Sequence, residues 1–129
     1  MSAAQIVLDV IIAIVLYQVV KKIILVRTIK HYTPVELFDK LKNDRDIVLL
    51  DVRTKNERDA QFIKGSIHIP LLQLKAREGE LEKFKEQEIV CYCRTGNRSL
   101  NAAAKLKKHG FNAANLKGGL VQWNIAGLR

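Results

Sequence analysis

The sequence predicts an α/β domain with a central, mostly parallel sheet flanked by helices, preceded by one transmembrane helix. Three observations carry that expectation. "IVLLDV" at residues 47–52 and "IVCYC" at 89–93 are continuous apolar, β-rich runs, the composition of strands buried on both faces. Each is followed by a stretch of helical character, the alternation that builds parallel sheets. Ahead of both, from Ala3 to Val20, the chain is apolar except for Gln5, Asp9 and Gln18.

The N-terminal run comes first. As a helix it measures about 27 Å at ~1.5 Å per residue, close to the hydrocarbon thickness of a bilayer. "IILV" continues beyond Lys21 and Lys22 and lengthens the span if those lysines snorkel. A cleavable signal would carry positive charge before the run and a small-x-small site after it, and neither is present. An amphipathic surface helix would need a larger polar face than Asp9 and two glutamines. A buried core helix is the remaining alternative, although the rest of the chain looks able to complete a core alone. Asp9 is costly in hydrocarbon, so it is expected at the outer interface or against a partner helix, which would allow oligomers through the span. Lys21, Lys22, Arg27 and Lys30 follow the run and no Lys or Arg precedes it. The positive-inside rule then puts the C-terminal part in the cytoplasm, with a bacterial inner membrane the expected setting. Residues 1–28 are thus read as anchor and basic juxtamembrane segment, with lipid contact through residues 3–20, and residues 29–129 as the domain.

Thr28 to Tyr32 is a connector or first strand. "TPVELFDKLKN" then carries strong helix-start signals: Thr33 as N-cap, Pro34 in the first helical position and Glu36 completing a capping box. Leu37, Phe38 and Leu41 supply its apolar stripe. After the first buried strand, residues 55–62 are polar and helix-compatible. Gly65 and Pro70 bracket a short strand, "SIHI". "LLQLKAREGELEKFKEQ" reads as helix and loop, before the strand at 89–93. Residues 98–109 form a helix with Ala102, Ala103 and Leu106 inward and Gly110 closing it. "AANLKGG" is a last strand with a glycine turn, and "LVQWNIAGL" a terminal helix.

Charge and cysteine usage bound the function. The net charge of +9 falls to +6 from His31 onward, and residues 94–129 hold seven Lys and Arg and no Asp or Glu. Such a stretch makes a solvated basic face, a face toward anionic lipid, or a field for an anionic substrate. Without interleaved aromatic residues it does not point to nucleic acid. Cys91 and Cys93 are the only cysteines, so no disulfide framework is implied, and a reducing compartment keeps both as thiols. Two cysteines with no His in the loop make a zinc site improbable, and no cofactor is expected.

In α/β folds sites lie at the carboxyl ends of strands, and Cys93 stands at one. The loop after it, "CRTGNRS", turns directly into a helix whose first N–H groups lack intrahelical partners. Gly96 permits the curl, Asn97 tolerates unusual φ, and Arg94 and Arg98 add full charges. Together they favour thiolate over thiol and place the Cys93 pKa below the usual value of about 8.5. Cys91, inside the apolar strand, is expected in the core. Asp51, Arg53 and Glu57 are expected to form structural charge pairs near the site.

"DVR" at 51–53, "FIKGSIHIP" at 62–70, "CRTGNRS" at 93–99, "AAAKLKKHGF" at 102–111 and "LKGGLVQW" at 116–123 come in an order that resembles single-domain rhodaneses. The resemblance covers roughly residues 29 to 129. It implies a sulfurtransferase that takes a sulfane sulfur from thiosulfate or another small anionic donor as a cysteine persulfide and passes it to cyanide or a protein thiol. By that resemblance Cys93 is the nucleophile and Arg94 meets the anionic donor. Arg98 and the N–H groups of the loop from Thr95 through Gly96 and Asn97 steady the persulfide, and Ser99 caps the helix or bonds the sulfur. Where many relatives carry Gly-His-Ile, this chain has Gln61, Phe62 and Ile63, which reads as a surface or packing change away from the thiol. Two alternatives stand beside this reading. A related thiol phosphatase or arsenate reductase implies Cys-x5-Arg, whereas Cys93 to Arg98 is Cys-x4-Arg, a smaller ring. A membrane-anchored interaction module would use the loop only as a cradle, but degenerate members typically lack the thiol.

Overall fold

The computed structural model describes residues 1–43 and 46–128. Arg129, the last residue of the expected domain, lies outside the described residues. The apolar N-terminal run forms a single helix, α1 (Ala3–Thr28), whose first turn is capped by the Ser2 side chain accepting from the Gln5 N–H. It is longer than the run that predicts it: Lys21 and Lys22 are helical, and "IILV" continues the same rod. No residue of α1 is buried, and among the described residues it is the one helix long and apolar enough to cross a membrane.

The domain follows as β1 (Lys30–Tyr32), α2 (Pro34–Asn43), β2 (Ile47–Asp51), α3 (Lys55–Ala60), β3 (Ile67–His68), α4 (Leu74–Arg77), β4 (Glu88–Tyr92), α5 (Asn97–Lys108), β5 (Asn112–Leu116) and α6 (Gly119–Ile125). The five strands form one sheet in the order β1-β5-β4-β2-β3, and every pairing is parallel. The two apolar runs are its centre: Leu50 lies beside Cys91, and Cys91 in turn beside Asn115. Burial on both faces explains their lack of alternation.

Each face has its own core. On one, α5 contributes Leu100, Ala102, Ala103 and Leu106, joined by Leu74, Leu81 and Ile29. On the other, Leu37 of α2 and Leu120 and Trp123 of α6 pack on Leu49, Val90 and Leu116. The Thr33 cap is present, its oxygen accepting from the Glu36 N–H at 3.2 Å. The expected "SIHI" strand shortens to two residues. The charged segment 71–84 becomes a 3-10 turn (Leu71–Gln73), one α turn and a 3-10 stretch (Glu78–Phe84), with Leu74 and Leu81 as its buried anchors.

α1 joins the domain only at its C-terminal end. Leu25 packs against the α5 core, Lys107 donates to the Thr28 carbonyl at 2.8 Å, and Lys22 donates to Asn97 Oδ1 at 3.1 Å. Lys22 thus meets the first residue of α5 and Thr28 its last turn, so the two helices run in the same sense.

Candidate functional site

β4 ends at Tyr92, and the chain turns through Cys93, Arg94, Thr95 and Gly96 into α5. Gly96 makes the turn at φ 104°, a conformation that strains any residue with a Cβ. Asn97 takes no such φ. It is the first helical residue, and among the described residues every positive φ belongs to glycine. Gly96 occupies the capping position with no side-chain cap, and Ser99, expected to cap or to bond sulfur, does the second.

The loop closes on the sulfur. Cys93 Sγ accepts from the Gly96 N–H at 3.0 Å and the Ser99 hydroxyl at 3.3 Å, and the side chain is 1% exposed. Burial is the largest single influence on this thiol and favours its neutral form. Hydrogen bonds from the Ser99 hydroxyl and from the N–H groups of Ser99, Gly96 and Thr95 outweigh it, so the pKa lies below the ordinary thiol value. Cys91, two residues earlier, shows the opposite balance. It is fully buried without such donors, and burial, then the neighbouring Cys93, push its thiol far up. Both cysteines are free.

The two arginines of the loop differ. Arg98 makes a bidentate pair with Glu57, at 2.7 and 2.8 Å. Glu57 Oε1 also accepts from the Thr54 N–H and hydroxyl in the capping box that starts α3. Bonding to Arg98 is the main cause that brings the Glu57 pKa down from 4.5 to about 2. The guanidinium stays within reach of the sulfur, which adds to its own basicity after Glu57. Arg94 is exposed and lines a cleft of about 250 Å³ between α3 and α6, with Arg53, Glu57, Gln61 and Asn124 on its other walls. Thr95 is exposed, and Asn97 is held by Lys22.

Behind the loop lies a chain of hydrogen bonds. Ser99 Oγ also donates to Asn115 Oδ1 at 2.6 Å, and Asn115 Nδ2 donates to His31 Nδ1 at 3.2 Å. His31 Nε2 in turn donates to the Val26 carbonyl of α1 at 2.7 Å. The Ser99 hydroxyl has one proton and two acceptors. When the sulfur is ionised that proton turns toward it; when the thiol is protonated, it turns to Asn115.

α6 fixes the loop from the other side. The Leu120 N–H donates to the Cys93 carbonyl at 2.9 Å and the Val121 N–H to the Arg94 carbonyl at 3.1 Å. A Cβ on Gly119 would stand 2.5 Å from each of those carbonyl oxygens, so only glycine lets the two backbones meet. The expected charge pairs are also in place. Arg53 grips Asp51 at 2.9 and 2.8 Å, with Asp51 wholly buried and accepting from the Tyr92 hydroxyl. Gln61, read from sequence with Phe62 and Ile63 as a surface or packing change away from the thiol, pairs with Asn124 on the wall of the cleft that Arg94 lines.

Of the residues expected at the site, Cys93 to Gly96 form the loop and Asn97, Arg98 and Ser99 the first turn of α5; Asn115 and the backbone donors of α6 were not among them. Asn115 carried one usable signal, an amide inside the otherwise apolar "AANL" strand. A buried amide needs partners, and here they are Ser99 and His31.

Comparison with known proteins follows the same residues. A family model described as "Rhodanese-like domain" matches residues 34–126. The probable adenylyltransferase/sulfurtransferase MoeZ of Mycobacterium tuberculosis is 41% identical over 92 residues, which are 70% of this chain and 24% of MoeZ. The chain therefore spans about a quarter of that relative's length. A sulfurtransferase of Allochromatium vinosum is 33% identical over 93 residues, covering 71% of this chain and 85% of the relative. Among solved structures, a rhodanese-related protein from Thermoplasma volcanium superposes with a TM-score of 0.71 at 28% identity, covering 78% of this chain and 95% of that one.

Proposed function

Because the chain belongs to the rhodanese family, we propose that it is a sulfurtransferase with Cys93 as nucleophile and sulfur carrier. The observation that carries this reading is the ring of donors converging on one buried sulfur whose acidity is raised. The Cys93 thiolate attacks the sulfane sulfur of thiosulfate or a similar anionic donor. A new S–S bond forms, the old one breaks, and sulfite leaves with its electron pair. A cyanide ion or a thiolate on a partner protein then attacks the outer sulfur of the persulfide, and Cys93 departs as thiolate.

The other residues divide this work. Arg94, exposed on the cleft, receives the donor's negative oxygens. The Thr95, Gly96 and Ser99 N–H groups and the Ser99 hydroxyl hold the sulfur anion before and after transfer. Asn97 starts the helix that aims these donors, and Arg98, kept in place by Glu57, adds positive potential beside the sulfur. We further read α1 as a single membrane span contacting lipid through residues 3–20, with the domain on the cytoplasmic side.

Mass spectrometry tests the chemical step. Incubation with thiosulfate should add about 32 Da, one sulfur atom, at Cys93, and cyanide should remove it. Cys93→Ser should lose both events and Cys91→Ser should keep them. Turnover of phosphate esters with thiosulfate ignored would overturn the reading.

A further inference from the structure

The attachment of α1 fixes which side of the domain looks at a membrane. Lys22 meets Asn97, at the start of α5 beside the Cys93 loop, while Thr28 meets Lys107 at the other end of α5. α5 starts at the carboxyl edge of the sheet and runs toward the amino edge. Followed backward from Thr28 to Ala3, α1 therefore rises toward the carboxyl edge and leaves the domain there. Val20, the last residue of the apolar run, lies only about 3 Å along the axis from Lys22. A membrane crossed by residues 3–20 lies directly above the Cys93 loop.

The surface on that edge has the chemistry such a position requires. Arg94 and Lys117 are exposed there, just beyond the carboxyl ends of β4 and β5, and Lys21 and Lys22 are exposed on α1. The neighbouring carboxylates are engaged: Glu57 by Arg98, Asp51 by Arg53, and Asp59 by Lys55. The 3-10 turn after β3 also sits on this edge, tied by the Leu71 N–H to the Val52 carbonyl just beyond β2. Leu71 packs inward, whereas Leu72 is 99% exposed. An exposed apolar side chain on an edge that also carries cations matches the boundary between headgroup and acyl chain.

We propose that the carboxyl edge of the sheet, carrying the Cys93 loop, rests on the anionic headgroups of the bilayer that α1 crosses, with Leu72 inserted as a wedge. The proposal rests on α1 being a span and is independent of sulfur transfer. α1 and Leu72 flank the α5 side of the loop, whereas the cleft lined by Arg94 opens between α3 and α6. Substrate thus enters along the membrane surface from that second flank.

The test uses the full chain in vesicles of phosphatidylcholine and phosphatidylglycerol whose acyl chains carry bromine near the headgroup. Tryptophan is placed at the edge by Leu72→Trp and at the opposite, amino edge by Glu86→Trp. Emission from position 72 should be quenched well beyond the native Trp123 background, and emission from position 86 should not. Lys117→Glu should weaken the quenching at 72 in the anionic vesicles and leave it unchanged in pure phosphatidylcholine. Equal quenching at the two positions, none at 72, or no response to the charge reversal would overturn the proposal. Persulfide mass on the same samples, and carbonate extraction of the membrane, show separately whether sulfur transfer or the span has failed instead.

Discussion

Glu57 and Arg98 show how a charge near the Cys93 sulfur is kept from wandering. Unpaired, the guanidinium would swing into solvent; paired, it stays beside the loop. The sign of the resulting pH dependence is fixed by the carboxylate. Its folded pKa of about 2 lies below the ordinary 4.5, so the pair's contribution is complete above 4.5 and fades as pH falls toward 2. Both partners are partly exposed, so the contribution is modest, about 1 kcal/mol or less. Unfolding free energies of the parent and Glu57→Gln should differ by a constant amount above pH 4.5 and converge in acid. Ser99 works on the sulfur more directly. Removing its hydroxyl by Ser99→Ala takes away one of the donors to the anion. It should slow persulfide formation at neutral pH on the order of tenfold, measured by quenched mass spectrometry.

Among the elements, the contact between α6 and the Cys93 loop is where the backbone is tightest. Gly119→Ala forces a methyl group against two carbonyl oxygens at a positive φ. The cost should be at least the roughly 1–3 kcal/mol typical of overpacking, read as a lower urea midpoint, with persulfide formation impaired as the loop shifts. These elements were legible to very different degrees. The strand ending at Cys93 and the helix after it are written locally, in an apolar run, a glycine and an apolar stripe. The Thr33 cap is equally local. Asn115 is not, because its partnership with Ser99 depends on β5 lying next to β4 and on α5 crossing back over both. The short β3 and the broken helices of residues 71–84 were blurred for a related reason. Tertiary anchoring of Leu74 and Leu81, more than helical periodicity, decides their shape.

Over the whole molecule, the apolar helix and the basic domain make one physical proposition. α1 touches the domain only from Lys22 onward and leaves the rest of its apolar surface uncovered, which a bilayer would cover. Alkaline carbonate should therefore leave the full chain in the membrane pellet, and its release into the supernatant would rule out a span. The charge pattern legible in the sequence, with seven basic and no acidic residues from Arg94 onward, takes on direction only in the fold, which sets Arg94 and Lys117 on the edge toward α1. The sulfur transfer proposed for that edge depends first on the state of a single atom. The most direct measurement is the pH titration of the Cys93 thiolate by its ultraviolet absorbance, since Cys91 stays protonated throughout the same range. The account predicts a midpoint below that of free cysteine, absent in Cys93→Ser and moved upward in Ser99→Ala. A midpoint at or above the free value would contradict it.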